Sequence, residues 1–223
     1  MSERPVFIPS KEDNKHVETI NITFNWFSGF SVSQKRKSIK SLHQGIFNKT
    51  GIKEILEIST KSENELGVKS SAFNLRLKIG DVTGTVESIY QGSKIFKNGG
   101  PYCDIYSKSS YDAKKDERIK TSGELKEFSF QNETWGVNEN FYDWLYLNAL
   151  NQNIEIKENL LNFNAFTDIE FNPKKSYNCQ AFSAALFCSF YKKRISLDEI
   201  ESKETFNKIF PKDELKFEQL DLF

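Results

Sequence analysis

Hydrophobic and polar residues alternate from Ile20 to Trp26: Ile20, Ile22, Phe24 and Trp26 share one side, and Asn21, Thr23 and Asn25 the other. A period of two marks a half-buried strand. Gly29 and the serines around it end this run. Ile39, Leu42, Ile46 and Phe47 then recur at helical spacing, with Gly51 as the stop. Ile52–Ser59 reads as a strand. Phe73, Leu75, Leu77 and Ile79 alternate again ahead of a Gly80-Asp81 turn. The chain up to that turn is therefore mixed α/β.

From Thr85 onward the pattern becomes mostly helical. Thr85–Phe96 reads as one helix with Thr85 as its N-cap. Phe141, Trp144, Leu145, Asn148 and Ala149 share one helix face, and Ile154–Leu161 follows as a second, shorter helix. Phe166–Phe171 is a short apolar-acidic stretch that ends at Pro173. Gln180–Tyr191 carries Ala181, Ala184, Ala185 and Cys188 on one face, which suits close helix packing. Ser196, with Glu199 three residues on, opens a last amphipathic segment. The expected fold is α+β: a mostly helical core over 66–223, with an N-terminal α/β extension over 1–65 that carries a few strands. The join falls in the polar run Lys61–Glu65.

Composition narrows the function. The 223 residues include 31 Lys+Arg and 31 Asp+Glu, so bulk charge points to neither nucleic acid nor membrane. Twenty Phe make aromatic area the main filling of the core. Cys103, Cys179 and Cys188 lack metal-type spacing, and their odd number fits reduced thiols in a cytoplasmic protein. The charged N-terminus has the character of neither a secretory signal nor an anchor. His16 and His43 are the only histidines, which leaves a histidine-centred hydrolase or zinc site short of ligands. No motif calls for a metal or an organic cofactor.

On a helix from Thr85, the residues Glu87, Tyr90, Gln91 and Lys94 stand at i, i+3, i+4 and i+7. A carboxylate, a phenol, an amide and an amine are thus presented together, over an opposite face of Val86, Ile89, Ile95 and Phe96. A plain solvated face is the alternative. The turn Asn98-Gly99-Gly100-Pro101-Tyr102 could bring backbone N–H groups to an anion, or be only a connection. Ala113-Lys114-Lys115, with Arg118, could clamp a diphosphate or be a solvated face. Asp168 and Glu170 sit two apart on one side of an extended segment, among Phe166, Ile169 and Phe171. A carboxylate among aromatics keeps its proton to higher pH. The alternative there is a loop acid pair beside Lys174 and Lys175. Asn178 opens NCQAFSAALF as an N-cap or a ligand contact.

TVESIYQGSKIF resembles the signature helix of the NADAR (YbiA-like) family, through Glu87, Tyr90, Gln91, Lys94 and Phe96. Ser71-Ala72-Phe73 stands at the family's Ser-Asn-Phe element, with Ala in place of Asn and Asn74 beside it. Ala113-Lys114-Lys115, the stretch Leu160-Leu161 to Ile169-Glu170, and Asn178 with the Ala-rich helix resemble three further elements in the same order. The likeness covers roughly residues 68–193. GGPYCDIYSKSS, FYDWLYLNALNQN and TDIEFNPKKSYNCQA resemble phrases of the branch found beside DarT-type toxins. FNPKKSYNCQ replaces the Trp-Gly and glycine-rich loop of the broader family, so contacts made there do not carry over.

The resemblance implies an N-glycosidase that removes ADP-ribose from guanine bases in DNA, and so the antitoxin of a DNA-modifying toxin. Its partners would be ADP-ribosylated DNA, single-stranded or with a flipped base, the ADP-ribose product, and a cognate toxin. Glu87, Lys94, Asp168 and Glu170 would be catalytic. Gly99, Gly100, Lys114 and Lys115 would hold the diphosphate. Tyr90, Tyr102 or Phe166 would stack on a base, with Gln91 and Asn178 also contacting substrate. Three other readings stay open at this point. One is an N-glycosidase on a riboflavin-pathway ribosyl-phosphate. Another is a non-enzymatic antitoxin that blocks its toxin. The third is a nucleic-acid-binding module built on Gln34-Lys35-Arg36-Lys37 and Lys192-Lys193-Arg194.

Overall fold

The computed structural model describes residues 1–211 apart from 13, 174, 175 and 177. Lys174 and Lys175 therefore lie outside the described residues. The N-terminal run forms strand β1 (Ser2–Pro9), paired antiparallel along its whole length with β2 (Val17–Phe24). The charged appearance of Ser2–Pro9 hid this strand; its Val6 and Phe7 have no exposed surface. Helix α1 (Val32–Thr50) starts at Ser31, whose hydroxyl accepts from the Gln34 amide. It stops at Gly51 in the left-handed region (φ 75°), as the spacing predicts. Ile39, Leu42 and Ile46 pack on Ile22 and Phe24 of β2. The approach is close at Gly45, where a Cβ would come within 2.8 Å of the Ile22 side chain.

Strand β3 (Ile55–Glu57) and a late strand, numbered β9 (Ala165–Thr167), complete this first sheet in the order β2-β1-β9-β3. β9 lies antiparallel to β1 and parallel to β3. Residues far apart in the chain thus share one sheet, and the loop after β9 leaves it at Asp168.

Between these strands run α2 (Glu65–Lys69), the hairpin β4 (Arg76–Ile79) and β5 (Val82–Thr85), α3 (Val86–Gly92), and a second sheet of β6 (Lys94–Phe96), β7 (Leu125–Phe130) and β8 (Glu133–Gly136). The expected strand from Phe73 is shorter, because residues 71–74 turn and use their carbonyls elsewhere. The expected helix to Phe96 ends at Gly92. A Cβ there would meet the Tyr106 ring at 2.6 Å, the Ser93 hydroxyl bonds back to the Ile89 carbonyl, and Lys94–Phe96 pairs with β7 instead. Ala113–Arg118 forms two short helices, α4 (Ser110–Lys115) and α5 (Glu117–Thr121), with Asp116 capping the second.

Helices α6 (Phe141–Gln152) and α8 (Gln180–Lys192) run through the main core, with ten successive residues of each buried. Helix α7 (Ile154–Leu160) follows α6. Trp135, Phe128, Phe130, Phe141 and Trp144 pack ring against ring beside Tyr90. The last segment differs from its expected start at Ser196: Ser202 caps α9 (Lys203–Ile209), after a single 3-10 turn. The architecture is mixed α+β. No helix among the described residues is long and apolar enough to cross a membrane.

Candidate active site

The turn at Ser71–Asn74 organises the site. The Glu87 amide donates to the Ala72 carbonyl (3.0 Å), and the Ala72 amide donates to Gln180 Oε1 (2.8 Å). Ser110, at the start of α4, donates to the Phe73 carbonyl (2.7 Å) and lies 2.7 Å from the Thr85 hydroxyl that caps α3. Helices α3, α4 and α8 are thereby tied to one short turn. The Asn74 amide nitrogen donates to Ser71 Oγ in the turn and to Val68 O at the end of α2.

Glu87 is buried (7% exposed) in the first turn of α3, where the helix dipole favours its negative charge. Its Oε1 accepts from Gln91 Nε2 at 3.0 Å, and Gln91 Oε1 accepts from Lys94 Nζ at 2.7 Å. Lys114 Nζ stands 4.0 Å from the same Glu87 oxygen, with Phe73 beneath it at 5.2 Å. Burial pulls the Lys94 amine down to about 8; Glu87 works against this and Lys114 works with it. The Lys94 ammonium lies 4.9 Å over the Tyr90 ring. Acid, amide and amine thus form one chain, although Lys94 belongs to a strand and not to the helix.

Asp168 is buried (8% exposed) and Glu170 is exposed, so the two do not share a side as their spacing suggests. β9 ends at Thr167, and the turn that follows sends them apart. Asp168 Oδ2 accepts from Gln180 Nε2 (2.9 Å) and Oδ1 from the Glu170 amide (2.9 Å). Burial pushes Asp168 up to about 7, and the neighbouring Glu57 carboxylate adds to the effect. Glu57 itself accepts from Ser59 Oγ, Thr167 Oγ1 and the Ile169 amide. Glu170 turns outward to Lys35 Nζ at 3.0 Å.

Other expected residues divide. Tyr90 receives Asn178 Nδ2 at 2.8 Å on its hydroxyl, and its ring packs on Phe128. Asn178 is thus a side-chain contact, and the cap position of α8 belongs to Cys179. Phe166 has no exposed surface: it sits in the middle of the first sheet and cannot stack on a base. The glycine turn folds onto β6, with the Asn98 and Gly99 amides donating to the Ser122 and Phe96 carbonyls. A Cβ at Gly100 (φ 97°) would strike the Lys94 carbonyl at 2.1 Å. These glycines therefore serve close packing behind Lys94, and the amides of Asn98 and Gly99 are not aimed at an anion. The Tyr102 hydroxyl pairs with Ser122, and its ring lies 4.6 Å under Arg118. Arg118 is already held by Asp104 and Asp116. Lys115 turns to Tyr111, away from Glu87.

The sequence pattern does not single out Gln180, Tyr142 or Glu57. Gln180 joins Asp168 to the Ala72 turn. Tyr142, 7% exposed, meets Tyr90 edge-on at 5.2 Å and is pushed up in pKa by burial and by both Glu87 and Asp168. In NCQAF, Gln180 is a polar residue set between Cys179 and Ala181 at the start of a mostly apolar helix, which is its signal in the sequence.

A helix carrying Glu87 and Gln91, an amine at its far end and a second buried carboxylate, Asp168, across the Ala72 turn define an α+β protein with a buried acid–amine site. The family model for DarT1-associated NADAR antitoxins matches residues 2–219, nearly the whole chain. The chain belongs to that family, and its role is that of an antitoxin associated with a DarT-type toxin. Among curated proteins none matches it.

Proposed function

We propose that this antitoxin is an N-glycosidase that removes ADP-ribose from guanine bases in DNA. The observation that carries the reading is the chain Glu87–Gln91–Lys94, with an amine brought to about 8 beside a buried carboxylate. Cleaving an N-glycosidic bond needs charge stabilised at the anomeric carbon and a proton delivered to the departing base. Glu87 stabilises positive charge at that carbon or handles the proton transfer. Once a proton on the ring oxygen has opened the ribose, Lys94 in its neutral form adds to the same carbon; the carbon–guanine bond breaks as the base leaves with a proton from the acid, and water hydrolyses the resulting imine to ADP-ribose and the free amine. Asp168 holds a proton to about pH 7 and is the acid of the pair. Lys114, exposed beside Glu87, is the cation placed for the diphosphate.

The test is direct. Purified protein is given ADP-ribosylated single-stranded DNA, and free ADP-ribose is measured. Borohydride added during turnover should fix an ADP-ribosyl mass on Lys94. Wild-type release by both Glu87→Gln and Lys94→Ala would sink the assignment.

A further inference from the structure

Charge is strongly segregated in this neutral chain. Residues 19–53 contain six Lys and Arg (Lys35, Arg36, Lys37, Lys40, Lys49 and Lys53) and no Asp or Glu. Within that stretch, the loop between β2 and α1 presents aromatic rings. Phe30 is 100% exposed and Phe27 39%. The loop is held in place from α1: the Asn25 amide donates to Ser41 Oγ (3.0 Å) and the Phe27 amide to Ser38 Oγ (2.9 Å). Behind it, Trp26 has two cations on its ring, Arg4 at 5.3 Å and Lys35 Nζ at 4.8 Å.

This surface is joined to the candidate active site by contacts. Lys35 pairs with Glu170, whose amide donates to Asp168; Asp168 receives Gln180, and Gln180 accepts from Ala72 beside Glu87. We infer that the Phe27–Phe30 loop and the first turns of α1 bind the single strand next to the modified base. Exposed rings stack on bases of any sequence, and lysines track the phosphates. A protein partner fits less well, because protein interfaces are depleted in lysine. The inference rests on the reading of the substrate as DNA.

The experiment uses the full chain and an unmodified, fluorescein-labelled oligothymidine of roughly 12 nucleotides, read by anisotropy. Wild-type protein should bind it more tightly as salt falls, and more tightly than a duplex of equal length. The double variant Phe27→Ala/Phe30→Ala removes exposed rings with no packing cost at Phe30, and should weaken binding about tenfold or more. Lys37→Ala should flatten the salt slope by about one unit. Equal binding of duplex, or an undiminished double variant, overturns the inference. So does a double variant that keeps strand binding and loses retention of a cognate toxin, which would make the loop a protein interface. Strand binding needs no catalysis. Ring-dependent binding without ADP-ribose release would therefore uphold this surface while defeating the glycosidase reading.

Discussion

Lys94 donates to Gln91 Oε1 at 2.7 Å across the junction where α3 ends and β6 begins. The helix-to-strand switch at Gly92 does not break the row of polar groups. It fixes the backbone of Lys94 in a sheet while its side chain returns to the helix. An amine held this way is aimed without the entropy of a free lysine.

Glu87→Gln should keep the fold and lose the activity. A glutamine carbonyl can still accept from Gln91, so the melting temperature should stay close to that of wild type. Release of ADP-ribose from modified DNA should fall by a factor of about 10²–10⁴, the usual range for losing a positioned proton-transfer group. Single-turnover measurement with excess protein separates this from weakened binding.

Lys94→Met should make the protein inactive and more stable. The amine titrates at about 8 in the fold against 10.5 when free, so its folded pKa is depressed. Such a group burdens the fold while both states are charged, below about pH 8, and the burden fades as pH rises toward 10.5. The shift corresponds to about 3 kcal/mol at 1.36 kcal/mol per unit, offset in part by the lost bond to Gln91. Chemical denaturation at pH 7 should show a gain of about 1–3 kcal/mol that shrinks above pH 8. A variant less stable at all pH values would show that burial does not strain this amine.

Much of this site was legible in the sequence, and the reasons differ by residue. Glu87 and Gln91 follow from helical spacing alone. Helical spacing points to Lys94 at i+7, whereas in the fold it reaches Gln91 from the first residue of β6; both geometries bring the amine near that amide. Asp168 and Glu170 show where spacing fails: two residues share a side only on a continuing strand, and β9 ends at Thr167, before either of them. The ring of Phe166 suggests a stacking surface, but pairing of its strand between β1 and β3 buries it, and such long-range pairing leaves no local signal. The strand Ser2–Pro9 was hidden because Glu3 and Arg4 break its apolar alternation.

Gln180→Ala should harm both stability and activity. It leaves the Ala72 amide and the Asp168 carboxyl each short of a partner. Unsatisfied buried groups cost about 1–3 kcal/mol, so denaturation should show a loss in that range. Activity per folded molecule should also drop, because the turn that positions Glu87 loses its tie to α8. Gln180→Glu keeps an acceptor for Ala72 and sets a charge against Asp168. It should therefore hold the fold better while pushing Asp168 further up.

The last expectation concerns pH. The proposed chemistry needs Lys94 neutral and Asp168 protonated, and their values are about 8 and about 7. The base therefore titrates above the acid, and the productive combination is a minority form at every pH. The rate should rise through the lower value, peak between the two, and fall above the higher one. At the peak only about one molecule in twenty carries both groups in the productive state. Asp168→Asn should lower the maximum and remove the alkaline fall, so that the rate then climbs through Lys94 alone. The check is a pH series of single-turnover rates for both proteins. An alkaline fall that survives in Asp168→Asn would remove Asp168 from the role of acid and leave that proton to another group.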